Sequence, residues 1–127
     1  MTAPAAPGER FQALAAALVD EADRRYAFAT LADHLRALPP EVFAQAVAEA
    51  PRAALDADTL NHLAGAIELA AERRGQEPPA WTAAVPVAKE PQFGSSLASV
   101  RLHLLTRAPV ALRRRNLFFD ASFDERV

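Results

Sequence analysis

The sequence predicts an all-α fold: a single small domain of five or six helices, with a proline-rich strap and a C-terminal arm. Three observations predict it. Apolar residues recur at three- and four-residue spacings through successive segments, the period of one helix face. Pro39-Pro40, Pro51 and Gly75 fall where helices start or stop. And 127 residues, 51% hydrophobic and 24% charged, are the size and composition of one globular domain.

Each element follows from local residues. Residues 1–8 are rich in Pro, Ala and Gly and read as a loose end. The helical body spans residues 9–75. Phe11, Leu14, Leu18 and Ala22 share one helix face. Phe28, Leu31, Leu35 and Leu38 form a second stripe, out of phase with the first by more than half a turn. Either the helix breaks within residues 26–29 or one long helix meets partners on two sides; Thr30, with Asp33 three residues on, suits an N-cap and favours the break. Pro39-Pro40 ends that helix and opens another, because proline at the first turn loses no hydrogen bond. Its apolar face is Val42, Phe43, Ala46 and Val47. Asp56 and Asp58 offer caps for a helix carrying Leu60, Leu63, Ile67 and Ala71. Gly75 stands where a left-handed residue closes that helix, after Arg73 and Arg74.

Residues 76–94 hold Pro78, Pro79, Pro86 and Pro91, which forbid a continuous helix. They also hold Trp81, Val85, Val87 and Phe93. The segment therefore reads as an extended strap pinned to the body by these side chains. Residues 95–127 supply a helix capped by Ser95 or Ser96, with Leu97, Val100, Leu104 and Leu105 on its apolar face. A short helix follows Pro109, residues 116–119 are extended, and Asp120 caps a last turn.

Charge and composition exclude several function classes. The net charge of −2 divides unevenly. Residues 1–78 carry seven basic and twelve acidic side chains, a net of −5, and residues 79–127 carry seven and four, a net of +3. The halves attract each other, or the basic half meets an acidic partner or nucleic acid. Without cysteine there is no disulfide, thiol chemistry or Cys-based zinc site. His34, His62 and His103 lie on three different predicted helices and form no metal-binding pair. The acidic residues are scattered, and four glycines build no phosphate loop. The expectation is a non-enzyme without metal or cofactor. No signal peptide or membrane span is legible, so a cytoplasmic setting is expected. A helix-turn-helix over residues 30–50 is disfavoured, because its second helix carries Glu41 and Glu49 and no basic residue.

One stretch remains unexplained by these exclusions: Arg113, Arg114, Arg115, Asn116, Leu117, Phe118 and Phe119. Arginines at a helix end complement its dipole, and Asn116 suits a left-handed C-cap. The aromatic pair behind them fits the composition of an interface hot spot. The expectation is that Arg114 or Arg115 meets acidic groups of a protein partner and Phe118 or Phe119 enters a pocket. Stacking of Arg and Phe on single-stranded nucleic acid is the rival.

The span 81–127 resembles a group of small bacterial proteins whose C-termini carry a P-x-x-[FL]-R-R-R-N-[IL]-F signature. Here it is Pro109, Arg113, Arg114, Arg115, Asn116, Leu117 and Phe118. That group is associated with genes beside nucleotidyltransferase-like proteins, in arrangements like toxin–antitoxin pairs. The resemblance implies an antitoxin-like, partner-binding role and assigns no catalytic residue.

Overall fold

The computed structural model describes residues 6–93 and 108–119. The expected helix over 97–105, the caps at Ser95, Ser96 and Asp120, and His103 lie outside the described residues, as does the side chain of Phe93, the expected anchor. Within them the chain is a small all-α domain. Its elements are α1 (Pro7–Ala16), a 3-10 turn (Ala17–Val19), α2 (Arg24–Arg36), α3 (Pro40–Ala46), α4 (Ala57–Arg73), α5 (Ala80–Ala84), β1 (Gln92–Phe93), α6 (Val110–Arg113) and β2 (Leu117–Phe118).

Helix α1 starts earlier than the sequence suggests. Pro7 sits in its first turn, where a missing N–H costs nothing, and Glu9 complements the dipole. Pro7 and Gly8 are thus helical, not part of a loose end. Phe11, Ala15 and Leu18 bury one face, as the periodicity requires. The break to α2 falls at residues 20–23, not at 26–29. Asp20 turns extended and its carboxylate accepts from the Ala22 N–H at 3.0 Å, giving the chain a local alternative to the helix. Thr30 is no cap: its hydroxyl donates back to the Tyr26 carbonyl, one turn earlier in α2. The earlier break accounts for the two out-of-phase stripes.

Three local signals hold as read. Pro40 occupies the first turn of α3. The Asp56 carboxylate accepts from the Thr59 N–H at 2.7 Å at the start of α4. Gly75 adopts φ +66°, and Gln76 N–H to Ala71 carbonyl and Gly75 N–H to Glu72 carbonyl close α4 with paired reverse bonds.

Two apolar clusters meet on opposite faces of α4. Leu63, Ile67 and Ala71 join Phe11, Leu18, Leu31, Leu35, Phe43 and Val47 in the larger one. Leu69 joins Ala111, Leu112 and Leu117 in the smaller. Leu60, expected on the apolar face, is only half-buried, while the polar Thr59 and Asn61 are buried. Gly65 lies under the smaller cluster. A Cβ there would meet Leu117 Cδ1 at 3.0 Å and Leu112 Cδ2 at 3.2 Å, so the missing side chain lets the C-terminal turn approach the helix closely.

The strap is not extended throughout. Pro79 caps the one-turn helix α5, and Val85 returns to extended geometry before Pro86. Trp81 packs on the larger cluster and its indole N–H donates to the Val47 carbonyl at 2.7 Å, satisfying an oxygen at the end of α3. Val85 is buried, but Val87, expected as an anchor, is 46% exposed. The strap ends in a two-residue parallel pairing, Gln92 with Leu117 and Phe93 with Phe118. No helix among the described residues is long and apolar enough to cross a membrane.

Candidate functional site

The stretch 113–119 divides into residues that hold it down and residues that it displays. Arg115 belongs to the first kind. Its side chain is 4% exposed. A guanidinium carries five N–H donors, and each has an acceptor here. Nε and one terminal nitrogen grip Glu68 in a fork at 2.6 and 3.0 Å. The other terminal nitrogen reaches Asn61 Oδ1 and the Val85 carbonyl, each at 3.1 Å. The last N–H reaches the Thr82 carbonyl. Asn61 returns the contact, its amide donating to the Arg115 carbonyl at 3.1 Å. One side chain therefore fastens α4, the strap and the C-terminal turn together.

The next residues continue the fastening. Asn116 adopts the left-handed conformation, φ 59°, that the sequence suggests for a C-cap. Its amide donates to the Ala88 carbonyl at 2.7 Å, and its own carbonyl accepts from Gln92 N–H at 2.7 Å. Leu117 is fully buried against α4. The expectation that Arg115 reaches a partner is thus corrected: all its donors are used and it is inaccessible. Leu117 is likewise part of the core rather than the surface, because the pairing with the strap turns it inward.

Arg113 and Arg114 are displayed. They follow Val110, which is 42% exposed on the same turn. Phe118 and Phe119 are half-buried. Phe119 meets His62 edge to face, with ring centroids 5.4 Å apart. His62 Nε2 lies 2.8 Å from Gln92 Oε1, and the Gln92 amide donates to Asp58 at 3.2 Å. These contacts orient His62 as a support for Phe119.

A cleft of about 410 Å³ opens beside Arg114. Its floor includes the Glu68–Arg115 pair. Glu72, Gln76 and Glu77 come from the end of α4 and the chain beyond it, Val87 from the strap and Ala111 from α6. Charges of both signs therefore share one opening. Among the described residues no three His, Cys, Asp or Glu side chains converge as a metal site would require. The second polar face of α4 escaped sequence reading. Asn61, Gly65 and Glu68 lie at positions i, i+4 and i+7 of the helix, one face opposite the apolar stripe. A glycine inside a strongly periodic helix was the available signal.

The chain matches no protein family, curated protein or solved structure. What the fold and site define is a small all-α domain that fastens a cationic turn beside a cleft.

Proposed function

We propose that this chain is a protein–protein interaction module, a small cytoplasmic accessory or antitoxin-like protein that binds and regulates another bacterial protein. The observation that carries this reading is the division of labour within the arginine triplet. Arg115 is consumed internally, and this fixes the turn on which Arg113 and Arg114 stand exposed. Presenting contact groups on a fixed scaffold lowers the ordering cost of association. Guanidinium groups are weakly hydrated and fork onto carboxylates, which suits them to interfaces. The exposed Val87 and Val110 add apolar surface nearby. Phe119, braced by His62, and Phe118 extend the same segment.

Nucleic acid fits this surface less well. Glu72 and Glu77 share the cleft with Arg114, and carboxylates beside a phosphate backbone are repelled by it.

The test is affinity for a partner captured from the native host and identified. Arg113→Ala with Arg114→Ala should leave the melting temperature within a few degrees, because exposed substitutions each change stability by about 0.5 kcal/mol or less. The same pair should weaken partner binding at least tenfold, about 1.4 kcal/mol. Unchanged affinity would place the interface elsewhere. Loss of a steeply salt-dependent affinity for RNA or DNA, with partner binding intact, would favour the nucleic-acid reading.

A further inference from the structure

The cleft beside the C-terminal turn holds unneutralised charges of both signs. Its floor is settled internally, since Glu68 and Arg115 satisfy each other. Its rim is not. Among the described residues the side chains of Glu72, Glu77 and Arg114 make no hydrogen bond or ion pair, although all three line the same opening. The guanidinium and the two carboxylates come from different parts of the chain and form no ion pair with one another. The opening is of the size that takes a small ligand or a few side chains. Ala111 and the exposed Val87 line it as well, offering apolar surface to the methylene stems of long side chains.

Charge complementarity limits what fits. A purely acidic segment would meet Arg114 but also Glu72 and Glu77. A purely basic segment would meet the carboxylates but also Arg114. A segment carrying both signs at the right spacing satisfies all three. In an extended chain, alternate residues project to the same face. We propose that this cleft binds an extended partner segment with basic and acidic side chains at alternate positions. The basic group lies between Glu72 and Glu77, the acidic group on Arg114, and their stems on Val87 and Ala111. This names the partner chemistry of the site proposed above and rests on that reading. It also explains why the triplet Arg113–Arg115 sits beside carboxylates rather than in a uniformly basic patch.

The test is an NMR titration of the full ¹⁵N-labelled chain with three terminally blocked pentapeptides: Lys-Ala-Glu-Ala-Lys, all-basic Lys-Ala-Lys-Ala-Lys and all-acidic Glu-Ala-Glu-Ala-Glu. The mixed peptide should shift the signals of Gln76, Glu77, Val87 and the Arg114 side chain. It should bind at least about fivefold tighter than either control, as expected when every charge finds its complement. Arg114→Ala should erase its advantage over the all-basic peptide. Glu72→Gln with Glu77→Gln should erase its advantage over the all-acidic one. Equal responses to all three peptides, shifts that lie outside the cleft, or a stronger response to a short oligothymidylate would overturn the proposal. If the peptides fail while loss of Arg113 and Arg114 still weakens the captured partner, the cleft chemistry falls and the partner-binding reading stands. If the mixed peptide binds selectively while that loss leaves partner affinity unchanged, the partner does not use Arg114, and both the arginine-turn contact and the cleft as its binding site fall.

Discussion

His34 places a titratable ring on α2 in a setting that resists its charge. Its Nε2 is buried with no hydrogen-bond partner among the described residues. Burial, followed by the nearby Arg10, holds its pKa below the ordinary 6.5. The direction of the pH effect follows. Below 6.5 the unfolded chain takes up a proton that the folded chain refuses, so stability falls as pH drops and levels off once the folded form also protonates. Asp56 acts in a separate, more acidic window. Its cap bonds to Thr59 lower its pKa from 3.8, so its contribution is present above that value and lost as pH falls through the folded pKa. His34→Leu should therefore flatten the stability profile just below pH 6.5 and leave the more acidic limb in place. A mutant whose loss between neutrality and pH 5 matched that of the parent would remove His34 as the cause. Asp56 was legible in the sequence because its partner is three residues away. The Arg115 network was not, because its acceptors lie 30 to 54 residues away. Nothing local distinguishes Arg115 from Arg113 and Arg114.

At the scale of an element, α4 carries the fold on two faces. Its apolar stripe was plain from the spacing of Leu63, Ile67 and Ala71, and its ends from Asp56 and Gly75. Its other face was obscured because it is built from small and polar residues that acquire meaning only under the C-terminal turn. Gly65 is the clearest case. An alanine there would gain about 1 kcal/mol of helix propensity. It would also press within 3.0 Å of Leu117 and 3.2 Å of Leu112, both fully buried and held by the turn that Arg115 fixes. Overpacking of this kind costs about 1–3 kcal/mol. Gly65→Ala should thus lower stability by about 1 kcal/mol net, as read by denaturant unfolding. A rise in stability would mean that the two leucines give way. The misplaced break between α1 and α2 has a related cause. Thr30 is a residue type that caps helices, but it lies in the middle of α2 (Arg24–Arg36), where its hydroxyl bonds the Tyr26 carbonyl instead.

At the scale of the molecule, two clusters share one helix, and only one buried ion pair crosses between α4 and the C-terminal turn among the described residues. Among the described residues, the ion pair that joins the acidic first part of the chain to the basic last part is Glu68 with Arg115. Removing one partner of a buried, hydrogen-bonded pair costs about 3–5 kcal/mol, because the other charge is left without compensation. Arg115→Ala should cost that much locally while Phe11, Leu31, Phe43 and Ile67 keep the larger cluster intact. Hydrogen exchange should then show lost protection at Leu112, Arg113 and Leu117 with protection retained through α2 and the middle of α4. Arg115→Lys should not rescue, since an ammonium cannot supply the fork to Glu68 together with the bonds to Asn61, Thr82 and Val85. The same variant tests how the fold serves the proposed interface. Arg113 and Arg114 remain in the chain, but the turn that presents them is released, so partner affinity should fall as far as when both are replaced by alanine. Protection lost evenly across both clusters would show instead that the domain unfolds as one unit and that the turn is not separately held.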